Sequence, residues 1–68
     1  MKIRSNSAAF TRARIVKGLS QRELAKRSGL SSSYISLLER SVKTVGPATA
    51  KKLSDLLDQP VDALFNIE

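Results

Sequence analysis

The chain has 68 residues, which is room for one small domain with a single core. It contains no cysteine and no histidine, so a disulfide framework, the usual zinc sites, Ser-His or Cys-His nucleophilic catalysis and a histidine pH switch are all excluded, and neither a cofactor nor enzymatic chemistry is expected. Twelve Lys and Arg stand against six Asp and Glu, a net charge of +6 that points to a polyanionic partner.

Taken in chain order, residues 7–17 read as a helix ended by Gly18. The next start signal is Leu19-Ser20-Gln21-Arg22-Glu23-Leu24. Ser20 can accept from the N–H of Glu23, the Glu23 side chain can reach back to the N–H of Ser20, and Leu19 can staple onto Leu24. A helix over 21–27 follows, and Gly29 is placed to take the left-handed turn that redirects the chain. Ser31 caps the next helix, 32–39, with Leu30 packing on Ile35. After an irregular connection over 40–45, Gly46-Pro47 opens a helix over 47–57, because a proline in the first turn loses no hydrogen bond. A short closing helix over 61–65 completes an all-α domain.

The inward set is Phe10, Ala13, Leu24, Ala25, Leu30, Ile35, Leu38, Ala50, Leu53, Leu57 and Leu64, at the spacings of one helix face. No stretch alternates with period two, none approaches the roughly 20 apolar residues of a membrane helix, and the first residues lack the apolar run of a signal peptide. A cytoplasmic protein without a membrane partner is expected.

The charge is unevenly placed. Residues 1–43 carry ten basic and two acidic side chains, and residues 44–68 carry two basic and four acidic ones. Two helices joined through a tight glycine turn, in the basic part, make a helix-turn-helix pattern. At about 100° per residue, with Ser31, Ile35 and Leu38 facing inward, Ser33, Ser36, Leu37 and Arg40 face outward, where they can enter a major groove.

From Phe10 to Phe65 the chain resembles the phage-repressor and Cro-like helix-turn-helix regulators, the XRE family. The resemblance rests on Arg14, Gly18-Leu19-Ser20-Gln21, Glu23-Leu24-Ala25, Gly29, Ser31, Ile35-Ser36, Leu38-Glu39, Leu53, Leu57, Asp62 and Leu64-Phe65. It implies a five-helix, lambda-repressor-like domain that binds double-stranded DNA. Such a domain acts usually as a dimeric repressor on a two-fold operator, with no small-molecule substrate. The resemblance assigns base reading to Ser32, Ser33 and Leu37, with Ser36 on their flank. Gln21 is assigned a phosphate contact at the start of the second helix, and Arg14 with Glu39 a partly buried ion pair. Tyr34, Arg40, Lys43 and Lys17 are further candidates for phosphate contacts.

Arg40-Ser41 stands where the family usually has Asn-Gly, and Asp58 where a glycine usually precedes the last helix, so the path of those turns is left open. Leu56, Val61, Phe65 and Ile67 remain after the core is filled; Leu56, Phe65 and Ile67 are the expected dimer contact, the alternative being that Leu56 and Phe65 complete the core of one chain. The alternative function is a protein-interaction module, such as an antitoxin-like domain whose DNA binding is secondary. No candidate is catalytic or a metal ligand.

Overall fold

Five helices, α1 (Ser7–Val16), α2 (Gln21–Ser28), α3 (Ser32–Glu39), α4 (Pro47–Leu56) and α5 (Val61–Leu64), make up the body of the computed structural model, which describes residues 1–68. Two strands, β1 (Ile3–Ser5) and β2 (Phe65–Ile67), pair antiparallel with Ile3 opposite Ile67, Arg4 opposite Asn66 and Ser5 opposite Phe65. The helical body is the five-helix type that the resemblance implies. The ribbon is an addition to it, formed by strands too short to show an alternating pattern.

The first four helix starts each have a local cause. Asn6 accepts from the N–H of Ala9 at 3.2 Å, Ser20 from Glu23 at 3.0 Å and Ser31 from Tyr34 at 3.0 Å, each satisfying a donor that has no partner within its helix. Pro47 opens α4. Only half of the reciprocal cap expected at Ser20 forms, because the Glu23 side chain stays in solvent and makes no bond back.

The ends of the first four helices share one device, a residue in the left-handed region. Gly18 and Gly29 take it at φ +73° and +76°, and Ser41 and Asp58 take it at +62° and +55°. After α3 the N–H of Ser41 donates to Leu38 O and that of Val42 to Leu37 O, both at 2.9 Å. After α4 the N–H groups of Asp58 and Gln59 donate to Asp55 O and Ser54 O at 3.2 and 3.0 Å. This crossed pair of bonds satisfies the last carbonyls of a helix. Ser41 and Asp58 are the two positions where the family usually has glycine, so both turns keep a glycine-type backbone without glycine.

Phe10, Leu24, Ile35, Leu38, Ala50 and Leu53 are completely buried, and Leu57, Leu64, Phe65 and Ile3 nearly so. Each large side chain contributes about 1.5–3 kcal/mol by leaving water. Ala13 and Leu30, expected inside, sit half-buried at the edge, while Leu19, Val45 and Ile3 join the core from the connections and β1. Phe65 is a correction. It is 2% exposed, its ring meets that of Phe10 edge-on at 5.8 Å, and it closes the core rather than offering a dimer contact.

Candidate nucleic-acid interface

The interface is built on the joint between α2 and α3. Gly29 ends α2 in the left-handed turn, Ala25 is small where the helices meet, and Ile35 and Leu38 lie wholly buried beneath α3. With that face committed to the core, Ser32, Ser33 and Arg40 are exposed and Ser36 and Leu37 half-exposed. Together with Gln21 from the start of α2, these five residues line one shallow depression. Its rim is polar and hydroxyl-rich. Serine hydroxyls both donate and accept, so they can meet more than one base, whereas Leu37 offers only an apolar contact such as a thymine methyl.

An ion-pair network fixes the helices behind this surface. Arg14 on α1 donates from Nε to Glu39 Oε1 at 2.7 Å and from Nη2 to Oε2 at 3.2 Å, and its Nη1 donates to Leu19 O at 2.8 Å. Gln21 Nε2 donates to Glu39 Oε2 at 2.8 Å. The Arg14 and Glu39 side chains are only 12% and 8% exposed. Burial pushes the Glu39 carboxyl up, but the hydrogen bonds from Arg14 and Gln21 and the Arg14 charge outweigh it and hold the carboxyl below its ordinary range. The network thus joins α1, the turn before α2, the first residue of α2 and the end of α3 in a single geometry.

Gln21 donates one amide N–H inward to Glu39, and the second N–H of the same group stays available for the expected phosphate contact. Beside that amide, α2 turns its N-terminal main-chain N–H groups and the positive end of its dipole toward an anion. The Tyr34 hydroxyl donates to Thr44 O at 2.9 Å and tethers α3 to the connection that follows. Lys17 pairs with Asp58 and lies beside Leu57 and Leu64, in the groove between α1 and the C-terminal part of the chain. It is not gathered with the α3 surface. Lys43 is exposed in the connection after α3 and has no ion-pair partner. Arg40 is exposed and leans its Nε on Ser36 O at 3.4 Å. Of the expected dimer residues other than Phe65, Leu56 is half-buried against the core and Ile67 is 58% exposed.

The sequence reading missed Ser5, which is buried and bonds the end of α3. Its partners lie 33 and 34 residues away, and no local cue marks it.

No helix is long and apolar enough to cross a membrane, and no group of His, Cys, Asp and Glu is placed to hold a metal ion. Residues 12–64 match the helix-turn-helix family. Among solved structures, the restriction-modification controller protein C.AhdI from Aeromonas hydrophila is 35% identical with a TM-score of 0.75, over 84% of this chain and 83% of that one. The clp gene regulator ClgR from Corynebacterium glutamicum is 36% identical with a TM-score of 0.76, and the similarity covers 84% of this chain but 62% of ClgR. SinR, the master regulator for biofilm formation, solved in complex with DNA, is 33% identical with a TM-score of 0.73 over 82% of this chain and 90% of its own. A comparison with curated protein sequences gave no match. By the matched residues, the fold and these neighbours, the chain belongs to the XRE-type helix-turn-helix family of DNA-binding transcription regulators.

Proposed function

We propose that this domain is a repressor that binds a two-fold duplex operator as a dimer, with α3 in the major groove. In this reading Ser32, Ser33, Ser36 and Leu37 meet base edges, while Arg40, Lys43 and the N-terminus of α2 follow the phosphates. The observation that carries it is the depression where Gln21, Ser32, Ser33, Ser36, Leu37 and Arg40 meet. It lies in the part of the chain with ten basic and two acidic side chains. SinR, a similar chain, was solved in complex with DNA, which supports the same kind of partner here. For the dimer contact, Ile67 and Leu56 remain once Phe65 is assigned to the core. A cytoplasmic location goes with this reading.

Selection of bound duplexes from a random pool, followed by titration at several salt concentrations, tests the proposal. An enriched two-fold motif is expected. If about five to eight phosphates are contacted per domain, log K falls against log salt by about 0.9 for each of them. Ile67→Ser is expected to weaken cooperative binding to the full site while leaving a half-site unaffected. A pool from which nothing is enriched, or binding indifferent to salt, would favour the interaction-module reading instead.

A further inference from the structure

The family match spans residues 12–64, so both strands of the terminal ribbon lie outside the matched helix-turn-helix unit. They are nevertheless tied to α3. Ser5 is 2% exposed, and its hydroxyl donates to the main-chain oxygen of Leu38, with that of Glu39 at 3.5 Å. These carbonyls belong to the last turn of α3, and the Ser5 hydroxyl is a second donor to Leu38 O beside the N–H of Ser41. The same strand reaches the connection after α3, since Ile3 O accepts from the N–H of Val45 at 2.9 Å and Arg4 bridges Thr44. Tyr34 on α3 closes the loop of contacts by donating to Thr44 O. The strand β1 therefore holds the end of α3 and the far end of residues 40–45 at once.

A buried hydroxyl is costly unless it is used, and alanine would occupy the same place in the core without that cost. The Ser5 hydroxyl is spent on the end of α3. Leu37 and Arg40 stand in that last turn, and Lys43 stands in the connection. The ribbon is in turn closed by Lys2 and Glu68, whose main chains exchange hydrogen bonds of 3.1 and 2.7 Å.

We infer that Ser5 is a positioning residue for DNA reading: through its hydroxyl the terminal ribbon sets the pose of the C-terminal end of α3 and of the Lys43 connection against the duplex. This rests on the reading of α3 as the base-contacting helix. The free protein and its complex give separate tests.

In the free protein, Ser5→Ala is expected to speed amide exchange at Ser41, Val42 and Val45 by about three- to tenfold, the loss of one hydrogen bond, while Leu24 in α2 keeps the parent rate. In duplex competition, affinity for a selected site is expected to fall by a similar factor while affinity for a scrambled duplex holds, so that selectivity narrows. Ser5→Thr, which keeps the hydroxyl, is expected to restore both. Glu68→Pro removes the outer N–H of the ribbon and the carboxylate that meets Arg4 Nε at 3.7 Å without touching α3 or the core, and it is expected to shift the same amides by less.

Unchanged exchange over 41–45, or acceleration that includes Leu24, would overturn the inference, as would faster exchange with selectivity intact. A parent that prefers no duplex would end the reading of the interface and the DNA half of this inference. The exchange measurement would then still decide whether the ribbon braces α3.

Discussion

Helix α1 is joined to the rest of the molecule by two ion pairs that start three residues apart and have opposite surroundings. Arg14 meets Glu39 with both side chains nearly withdrawn from water, and two further groups, Leu19 O and the Gln21 amide, complete the bonding. Lys17 meets Asp58 with side chains 38% and 70% exposed and no further partner. The formal chemistry is the same. The difference shows that an ion pair matters by what each charge would be left with after its partner is removed. Asp58 would be left with water, and Glu39 with a core that cannot solvate it. The buried joint also fixes the start of α2 relative to the end of α3, and hence the depression at the interface. The exposed joint withdraws a lysine from the candidate phosphate contacts.

The largest test removes one side of the buried joint. Arg14→Ala is expected to cost about 3–5 kcal/mol in a thermal or denaturant melt, because Glu39 loses its bidentate partner while still buried. A loss below about 1 kcal/mol would put the two joints in the same class.

Acid tests the same joint from the other partner. The Glu39 carboxyl has its folded pKa below the ordinary value of 4.5, since burial raises it but Arg14 and Gln21 lower it by more. A depressed folded pKa means that the pair contributes stability above the unfolded value and loses it as pH falls through the folded one. The melting temperature is therefore expected to hold near neutral pH and to drop below about pH 4, in the range set by the unfolded carboxyl. Glu39→Gln is expected to lower the neutral plateau and flatten that acid limb. If parent and variant ran parallel throughout the acid range, some other carboxylate would be responsible.

The same contrast between local and distant partners explains what the sequence disclosed. The caps at Ser20 and Ser31 and the turn at Gly29 depend on residues within a few positions, so spacing alone exposes them. The pairing of Arg14 with Glu39 spans 25 residues, and only the family resemblance suggested it. The inward Gln21 amide, the Tyr34 tether and the Lys17 pair are choices among polar partners that only the assembled helices bring within reach. The ribbon is harder still to read. Its strands are three residues each and pair across almost the whole chain, and Ser5 is a polar residue in a buried position. Of the residues lining the α3 depression, Ser33, Ser36, Leu37 and Arg40 are legible because helix periodicity fixes their direction once the inward residues are known, whereas Gln21 and Ser32 rest on the family resemblance.

A smaller change separates the backbone of the exposed joint from its charge. Asp58 is held at φ +55°, where glycine carries no side-chain penalty. Asp58→Gly deletes the pair with Lys17 and relieves the turn, and the relief is expected to win by about 0.5–1 kcal/mol in a melt. No substitution of Glu39 is expected to stabilise. A clear loss for Asp58→Gly would mean that the exposed pair is worth more than its surroundings suggest.

The smallest expected effect is Lys17→Ala. Water already solvates most of the Asp58 side chain, and two flexible side chains give up rotamer freedom to meet, so the melt is expected to move by about 0–0.5 kcal/mol. Its effect on DNA gives the more decisive comparison. Lys17 lies by the groove between α1 and the C-terminal part of the chain, already paired, whereas Lys43 is unpaired in the connection that leaves α3. Removing a lysine that displaces a counterion from a phosphate lowers the salt slope by about 0.9, and removing one that does not leaves the slope unchanged. Lys43→Ala is thus expected to shift the slope of log K against log salt, and Lys17→Ala to leave it alone. The reverse result would place α1 against the phosphates and require the Lys17–Asp58 pair to open on binding, making the exposed joint part of the interface.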